Sequence, residues 1–355
     1  MSSNTYKVAA VERYTGNAQD YILAELPRPQ VRTATQVEIE VHAASLNPID
    51  FKRAKGMLSA VRPDTFPLKV GYDVAGVVTK AGDGVTRFKQ GDRVYGRVDE
   101  ASVGTIAEWV VAEESTLARI PDSVSFATAA AVPLAGLTAK QALETAGLQR
   151  GQSLFVSAGM GGVGMFTLAL AKHHFAAGEI ATTVSAAKRH DAVKMGATKV
   201  VDYKTDDYTS VLKDSADVGF DTTGDSNIYK VVKPGGHVVS VAMMPSGDVL
   251  DGFRDPDVPL SLFASVRLAV IKCIADGIQW FTTRGFRAKN VSYQYVLLEC
   301  DGNALESVFN PLLESGALAP VISSEHPFTE SGVRAAFKES IAGHATGKIV
   351  VNVRE

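Results

Sequence analysis

A chain of 355 residues, 46% hydrophobic and 21% charged, has enough apolar material for two packed domains and is not a small scaffold held by staples. Its net charge of -3 supplies neither a basic footprint for nucleic acid nor a general polybasic attraction to membranes, so small-molecule partners fit better. The only two cysteines, Cys273 and Cys300, exclude a disulfide framework and a four-cysteine zinc site and suit a reducing compartment.

The first residues carry no apolar signal core and no Arg-rich presequence, which predicts a cytoplasmic protein. Short β-like runs follow at Gln36 to Ala44, Val70 to Thr79, Asp92 to Tyr95 and Ala107 to Ala112. Turn signals at Gly82-Asp83-Gly84 and Gly91-Asp92 separate them, as in a compact β-barrel-like domain. Helical character begins near Ser125 and continues through Leu137 to Thr145, which predicts a domain boundary close to residue 128.

An apolar strand from Ser153 then runs into Gly159, Gly161 and Gly164 at G-x-G-x-x-G spacing, with a helical run behind it. Backbone amides and a helix N-terminus are thereby aimed at one anion, the arrangement that holds a dinucleotide pyrophosphate. The bare motif is weak in a chain with 31 glycines, and its context strengthens it. Strand-like runs at Glu179 to Ser185, Thr198 to Asp202, Asp217 to Asp221 and Lys233 to Val241 alternate with helical stretches, predicting an α/β, doubly wound parallel sheet.

About 20 residues past the glycines an acidic side chain would select NAD, and this chain places Ser185, Lys188 and Arg189 there instead. A hydroxyl and two cations suit a 2′-phosphate, so NADPH is the expected cofactor. Tyr203, just past the next strand, either lies against the adenosine or packs at the strand end.

Beyond Val241 the pattern loosens. Met243-Met244-Pro245 is loop-like, and Leu260 to Phe281 is an apolar, helix-rich insertion whose Arg267, Lys272 and Asp276 argue against a membrane span. Val291 to Glu299 reads as a strand, and its alternating Val-Ser-Tyr-Gln-Tyr-Val segment predicts an edge paired across a two-fold axis, hence a homodimer or higher homo-oligomer. Ala304 to Glu314 reads as a helix stopped by Gly316, and short strands flank a final helix at Glu330 to Ile341.

Asn47-Pro48-Ile49-Asp50 with Lys52-Arg53, Gly71-Tyr72-Asp73, Gly91-Asp92-Arg93-Val94-Tyr95, Gly104 to Trp109, Pro133 to Thr138, the glycine loop and Gly347-Lys348-Ile349-Val350 together resemble the medium-chain dehydrogenase/reductase superfamily. They are most similar to its zinc-free quinone oxidoreductase branch, the zeta-crystallin-like enzymes. The resemblance implies a GroES-like β-barrel catalytic domain from residues 1–128, completed by 318–355, and a Rossmann doubly wound parallel-sheet domain from 129–317, with the active site in the cleft. It implies cofactor contacts from Thr138, from Gly159, Gly161, Gly162, Val163 and Gly164, and, near the adenosine 2′-phosphate, from His344.

Zinc-dependent relatives carry a Cys where this chain has Asn47 and a His-Glu pair where it has Tyr72-Asp73, so no metal is expected. The resemblance puts Asn47 beside the nicotinamide ribose and substrate; the residue alone equally suits a turn cap before Pro48. Lys52, in a pattern similar to that of alkenal- and enone-reducing relatives, is the candidate for polarising the acceptor oxygen, with a solvated surface lysine as the other reading. Asp50 is expected to cap a helix or pair locally, Tyr72 to line the substrate pocket or pack, and Tyr95 to pack. Met243 and Met244 either face the nicotinamide or fill core, and Lys348 is expected to be structural. The implied activity is NADPH-dependent, metal-independent reduction of quinones or α,β-unsaturated carbonyls. The alternatives are an enoyl-thioester reductase and an NADPH-binding structural or RNA-binding protein of the zeta-crystallin type.

Overall fold

A computed structural model describes residues 4–243, 245–252, 254 and 262–354. In chain order the elements begin with β1 (Thr5–Val11), β2 (Ile22–Pro27), β3 (Gln36–Leu46), α1 (Pro48–Ala54), β4 (Leu68–Lys69), β5 (Asp73–Ala81), β6 (Arg93–Arg97), β7 (Trp109–Glu113), β8 (Leu117–Arg119), α2 (Phe126–Ala130) and α3 (Pro133–Thr145). They continue with β9 (Leu154–Val156), α4 (Gly162–His173), β10 (Ile180–Val184), α5 (Arg189–Met195), β11 (Lys199–Asp202), α6 (Tyr208–Val211), β12 (Ala216–Asp221) and β13 (Val232–Ser240). Then come α7 (Gly247–Asp251), α8 (Leu262–Thr282), α9 (Arg284–Ala288), β14 (Ser292–Tyr295), α10 (Gly302–Ala304), α11 (Asn310–Glu314), β15 (Ile322–Pro327), α12 (Glu330–Ala342) and β16 (Lys348–Asn352).

The chain forms two compact units, one of Met1–Met57, Asp64–Leu137 and Glu299–Glu355, the other of Leu58–Pro63 and Thr138–Leu298. The main changes of unit fall at 137/138 and 298/299, against 128/129 and 317/318 implied by the resemblance, the latter because the turn after Leu298 is packed on the barrel. A Cβ on Gly302 would lie 2.2 Å from the Leu117 carbonyl oxygen, and the Tyr95 hydroxyl donates to the Leu305 carbonyl at 3.1 Å. The expected continuous helix from Ala304 to Glu314 is interrupted: residues 305–309 form a π-helical turn before α11. Pro311 explains it, since its ring removes the amide that an α-helix would use and crowds the carbonyl four residues back.

In the first unit, β15-β16-β3-β5-β6-β8 form a sheet with β7 also paired to β3, and β2-β1-β4 form a smaller one. Val37, Ile39, Val41, Val74, Val78 and Val94 alternate along these strands into one apolar core. The expected strand from Val70 starts at Asp73 instead. Gly71 sits at φ +108°, and a Cβ there would lie 2.5 Å from the Thr105 hydroxyl, so the chain turns sharply before β5 begins.

The second unit is a six-stranded parallel sheet of order β11-β10-β9-β12-β13-β14. Its central strands β9 and β10 are buried at every position, as a parallel sheet covered on both faces demands. Strand order reverses at β9, whose neighbours β10 and β12 lead in opposite directions, and that reversal opens a crevice at the strands' C-terminal ends. β14 is the outermost strand of this sheet. Among the described residues no helix is long and apolar enough to cross a membrane.

Candidate functional site

The glycine motif lies where the pattern put it, between β9 and α4 at the reversal point. Each glycine has its own steric reason. A Cβ on Gly159 would meet the Thr182 hydroxyl at 2.2 Å, and one on Gly164 would meet the Ala158 carbonyl oxygen at 2.2 Å, so the turn can fold back tightly only without side chains. At Gly161 the nearest atom would be the Ala158 carbonyl oxygen at 3.2 Å and little else, which leaves open space over the start of α4. Ala158 takes a left-handed conformation, φ 50°, fixed by hydrogen bonds from its own amide to the Thr183 hydroxyl (3.1 Å) and from the Gly159 amide to the Thr183 carbonyl (3.2 Å). The first amides of α4, at Gly162, Val163 and Gly164, have no carbonyl earlier in the helix to bind. These residues fit a dinucleotide pyrophosphate.

Beside this turn, the strand ends gather the residues expected near the adenosine. The Lys188 amide donates to the Ser185 carbonyl at 2.9 Å, and the Tyr203 amide to the Val184 carbonyl at 3.3 Å, so Ser185, Lys188 and Tyr203 share one end of the sheet. Lys188 and Arg189 have no ion-pair partner among the described residues, and the Tyr203 ring is exposed. Asp202 escaped the sequence reading. Its carboxylate is buried and accepts from the Ala186 and Lys204 amides, each at 2.9 Å, which pins the turn carrying Ser185. Ser157 and Thr222 were also missed: the Thr222 amide donates to the Ser157 hydroxyl at 2.8 Å, linking the ends of β9 and β12 across the reversal point. A run Asp221-Thr222-Thr223-Gly224, a turn signal at a strand end, was the available clue.

Thr138 is buried in α3. Met243, expected either at the nicotinamide or in the core, lies in the core. Its side chain is buried in the apolar cluster with Phe155, Val201 and Phe286, and its amide is bound by the Ser240 hydroxyl at 2.9 Å, so it fills core. Met244 lies outside the described residues. His344 is exposed in the loop between α12 and β16, on the first unit, whereas Lys188 and Arg189 are on the second.

In the first unit, strand register converges three distant segments on one buried carboxylate. β3 pairs with β5 so that Ser45 faces Asp73, and with β16 so that Leu46 faces Ile349, which brings Lys348 beside Asn47. Asp73 accepts from the Ser45 hydroxyl (2.8 Å), the Asn47 amide nitrogen Nδ2 (2.8 Å) and the Leu134 backbone amide at the start of α3 (2.9 Å), with the Lys348 ammonium at 3.4 Å. Lys348 also donates to the Asn47 side-chain oxygen and to the Leu46 carbonyl at 3.0 Å. The Asn47 amide is therefore held with its oxygen toward Lys348 and one N–H toward Asp73, leaving one N–H uncommitted. Burial pushes the Lys348 ammonium below the usual lysine range, with Asp73 and Asp50 opposing the shift.

Asp50 caps α1 as its position implied. It accepts from the Asn47 amide at 2.7 Å and from the Gly71 amide at 3.0 Å. Tyr72, expected to line the pocket or to pack, is packed. It is buried, its hydroxyl accepts from Arg53 at 2.8 Å and donates to Glu100 at 3.1 Å, and the Arg97 guanidinium stacks over its ring at 5.2 Å. Burial raises its phenol well above the usual tyrosine range, with Glu100 adding to the shift. Tyr72 packs and positions Arg53. Arg53 also binds Asp64 at 2.8 Å and Glu100 at 2.7 Å. Burial works against its charge, and Tyr72, Glu100 and Asp64 more than offset that. Lys52, by contrast, is half-buried on α1 and its ammonium has no partner among the described residues.

Asn47, Tyr72 and Asp73 do not make a zinc site: they are an amide, a phenol that resists ionisation and a carboxylate already occupied by donors. Among the described residues no group of three or more His, Cys, Asp or Glu could hold a metal.

Residues 33–122 match the alcohol dehydrogenase GroES-like domain and residues 195–351 the zinc-binding dehydrogenase family. The chain is 37% identical to 2-methylene-furan-3-one reductase of Solanum lycopersicum, over 89% of this chain and 71% of that one. It is 36% identical to the chloroplastic NADPH-dependent alkenal/one oxidoreductase of Arabidopsis thaliana, over 89% and 72% respectively. The structure of the quinone oxidoreductase from Coxiella burnetii superimposes with a TM-score of 0.80 at 26% identity, covering 99% of this chain and 100% of that one.

Burial pushes the Asp50 carboxyl up to about 7, with Asp73 adding to the shift and the Asn47 amide, Lys348 and the Gly71 amide opposing it. The folded protein therefore keeps a proton that the unfolded chain releases near 3.8, and the stability this gives is lost as pH rises toward 7. Thermal melts of the protein and of Asp50→Asn should show the wild-type advantage shrinking by a few degrees between about pH 5 and about pH 8. A constant gap across that range would mean that Asp50 is ionised throughout.

Proposed function

The chain belongs to the medium-chain dehydrogenase/reductase superfamily, and we propose that within it the protein is an NADPH-dependent, metal-independent reductase of quinones or α,β-unsaturated carbonyls. The observation that carries this reading is the glycine turn at the sheet reversal, with Lys188 and Arg189, which have no ion-pair partner among the described residues, at the next strand end. Names borne by relatives, an alkenal/one oxidoreductase that is NADPH-dependent and a quinone oxidoreductase, support the same acceptor chemistry.

A bound nicotinamide would supply a hydride. What the chain must add is modest, because a conjugated acceptor's own oxygen takes up the negative charge as the β-carbon or quinone ring is reduced. The amides of Gly162, Val163 and Gly164 would hold the pyrophosphate, and Ser185, Lys188 and Arg189 would hold the 2′-phosphate. The Lys52 ammonium, free of any carboxylate partner, stabilises the acceptor oxygen and supplies the proton that completes reduction. The remaining N–H of Asn47, fixed in direction by Lys348 and Asp73, is the second donor on offer. NADPH consumption with a panel of quinones and enones tests the reading directly; no turnover with either class would overturn it.

Lys188→Ala should raise the KM for NADPH by about 10- to 100-fold and leave NADH nearly unchanged, the range expected for a charge-assisted bond to phosphate. Equal losses with both cofactors would move the residue's role to folding or to the shared pyrophosphate.

Lys52→Met, which keeps the aliphatic stem, should lower kcat for an enone by about 10²- to 10³-fold with NADPH affinity near normal. A high-potential quinone needs less assistance and should lose less. Unchanged turnover with both acceptors would return Lys52 to a solvated role.

Activity should survive exhaustive chelation, and elemental analysis of the active protein should find no stoichiometric zinc. One zinc per chain that turnover requires would refute metal independence.

A further inference from the structure

The structure assigns to α8 a second role: we propose that it attaches the protein to an anionic lipid surface. α8 presents two opposite faces. Leu268 and Ala275 are buried in their own unit, while Gly247 of α7 packs on Lys272 and donates to Asp276 at 2.7 Å. The other face carries Val266, Val270, Ile274, Ile278, Trp280 and Phe281, exposed by 40% to 66%. Spacing of four residues keeps the first four in one stripe, and the two aromatics close its C-terminal end. Single exposed apolar residues are ordinary, but an aligned run of six ending in Trp and Phe is a surface with an occupant.

Charge identifies that occupant. From Leu262 to Asn290 the sequence has five cations, Arg267, Lys272, Arg284, Arg287 and Lys289, against the single anion Asp276, in a chain whose net charge is -3. Lys272 pairs with Asp248 and Lys289 with Asp214. Arg267, Arg284 and Arg287 have no acidic partner among the described residues. Instead Arg284 stacks over the Phe281 ring at 4.5 Å and Arg287 over the Trp280 ring at 5.0 Å. Aromatic rings capped by guanidinium groups at the end of an apolar stripe match a helix lying in the headgroup layer, rings inserted and cations among phosphates.

A second copy fits less well. The stripe is about 22 Å long and about 10 Å wide, so two copies would bury roughly 450 Å², below the roughly 1,000 Å² of a stable interface. An antiparallel two-fold pairing would also set Arg267 of each copy against Arg284 and Arg287 of the other.

Flotation of the full chain with vesicles of equimolar phosphatidylcholine and phosphatidylserine should show binding at low salt that is on the order of tenfold or more tighter than to phosphatidylcholine alone and is weakened by high salt. Trp280 and Trp109 are the only tryptophans, so Trp109→Phe leaves Trp280 as the reporter, and its emission should shift to the blue on binding. Trp280→Ser with Phe281→Ser should abolish flotation with the melting temperature preserved, and Arg284→Gln with Arg287→Gln should remove the preference for anionic lipid. Absence of binding to the anionic vesicles, or undiminished binding of the double serine variant, would overturn the proposal. So would a dimer by light scattering that the serine variant converts to a monomer, which would give the face to a second copy. None of these readouts requires turnover, so they stand apart from the enzymatic reading.

Discussion

Taking a carboxylate out of water costs several kcal/mol unless its lone pairs are met and its charge is balanced. Asp73, fully buried, meets that demand with donors from β3, the loop before α1, the start of α3 and β16. The requirement runs both ways. Lys348 is buried as completely as its partner and would be as costly alone. Asn47 fills the remaining valences of both, so its amide has one allowed orientation. A side chain whose direction is decided by two buried hydrogen-bond partners holds its last N–H in a fixed direction without reorganising.

The same demand explains the protonation of Asp50. Burial is the main force that pushes its carboxyl up, the nearby Asp73 adds to it, and Lys348, shared with Asp73, opposes it without cancelling it. Tyr72 and Arg53 form a parallel arrangement in which Glu100 and Asp64 supply the balancing charge.

Sequence periodicity and turn chemistry exposed the parallel sheet, the glycine turn and the cluster of Ser185, Lys188 and Tyr203, because each is written in consecutive residues. The network around Asp73 was hidden. Its members lie at 45, 47, 73, 134 and 348, and only strand register brings them together. The sequence left Met243 and Tyr72 open between pocket and packing for a related reason. Both follow or begin strands that point toward the expected site, but a strand end tells nothing about which way the side chain turns, and here packing against Phe286 and hydrogen bonding to Arg53 decide it. The π-turn before Pro311 was legible in principle from the proline alone. The cationic excess around α8 was masked by a whole-chain charge of the opposite sign.

The pairing of β16 with β3 also sets an order for biosynthesis. Lys348 lies 275 residues after Asp73, so at about 5 to 20 residues per second the ribosome needs about 15 to 55 s to deliver the cation after the anion has emerged. Throughout that interval β3 has a bare edge where β16 will sit, and Asp73 has no counter-charge to let it be buried. The parallel sheet from Thr138 to Leu298 is synthesised whole within that delay. The nascent barrel is thus an unfinished shell waiting on its final strand, a window in which a holdase that covers exposed sheet edges would govern the yield of folded chain.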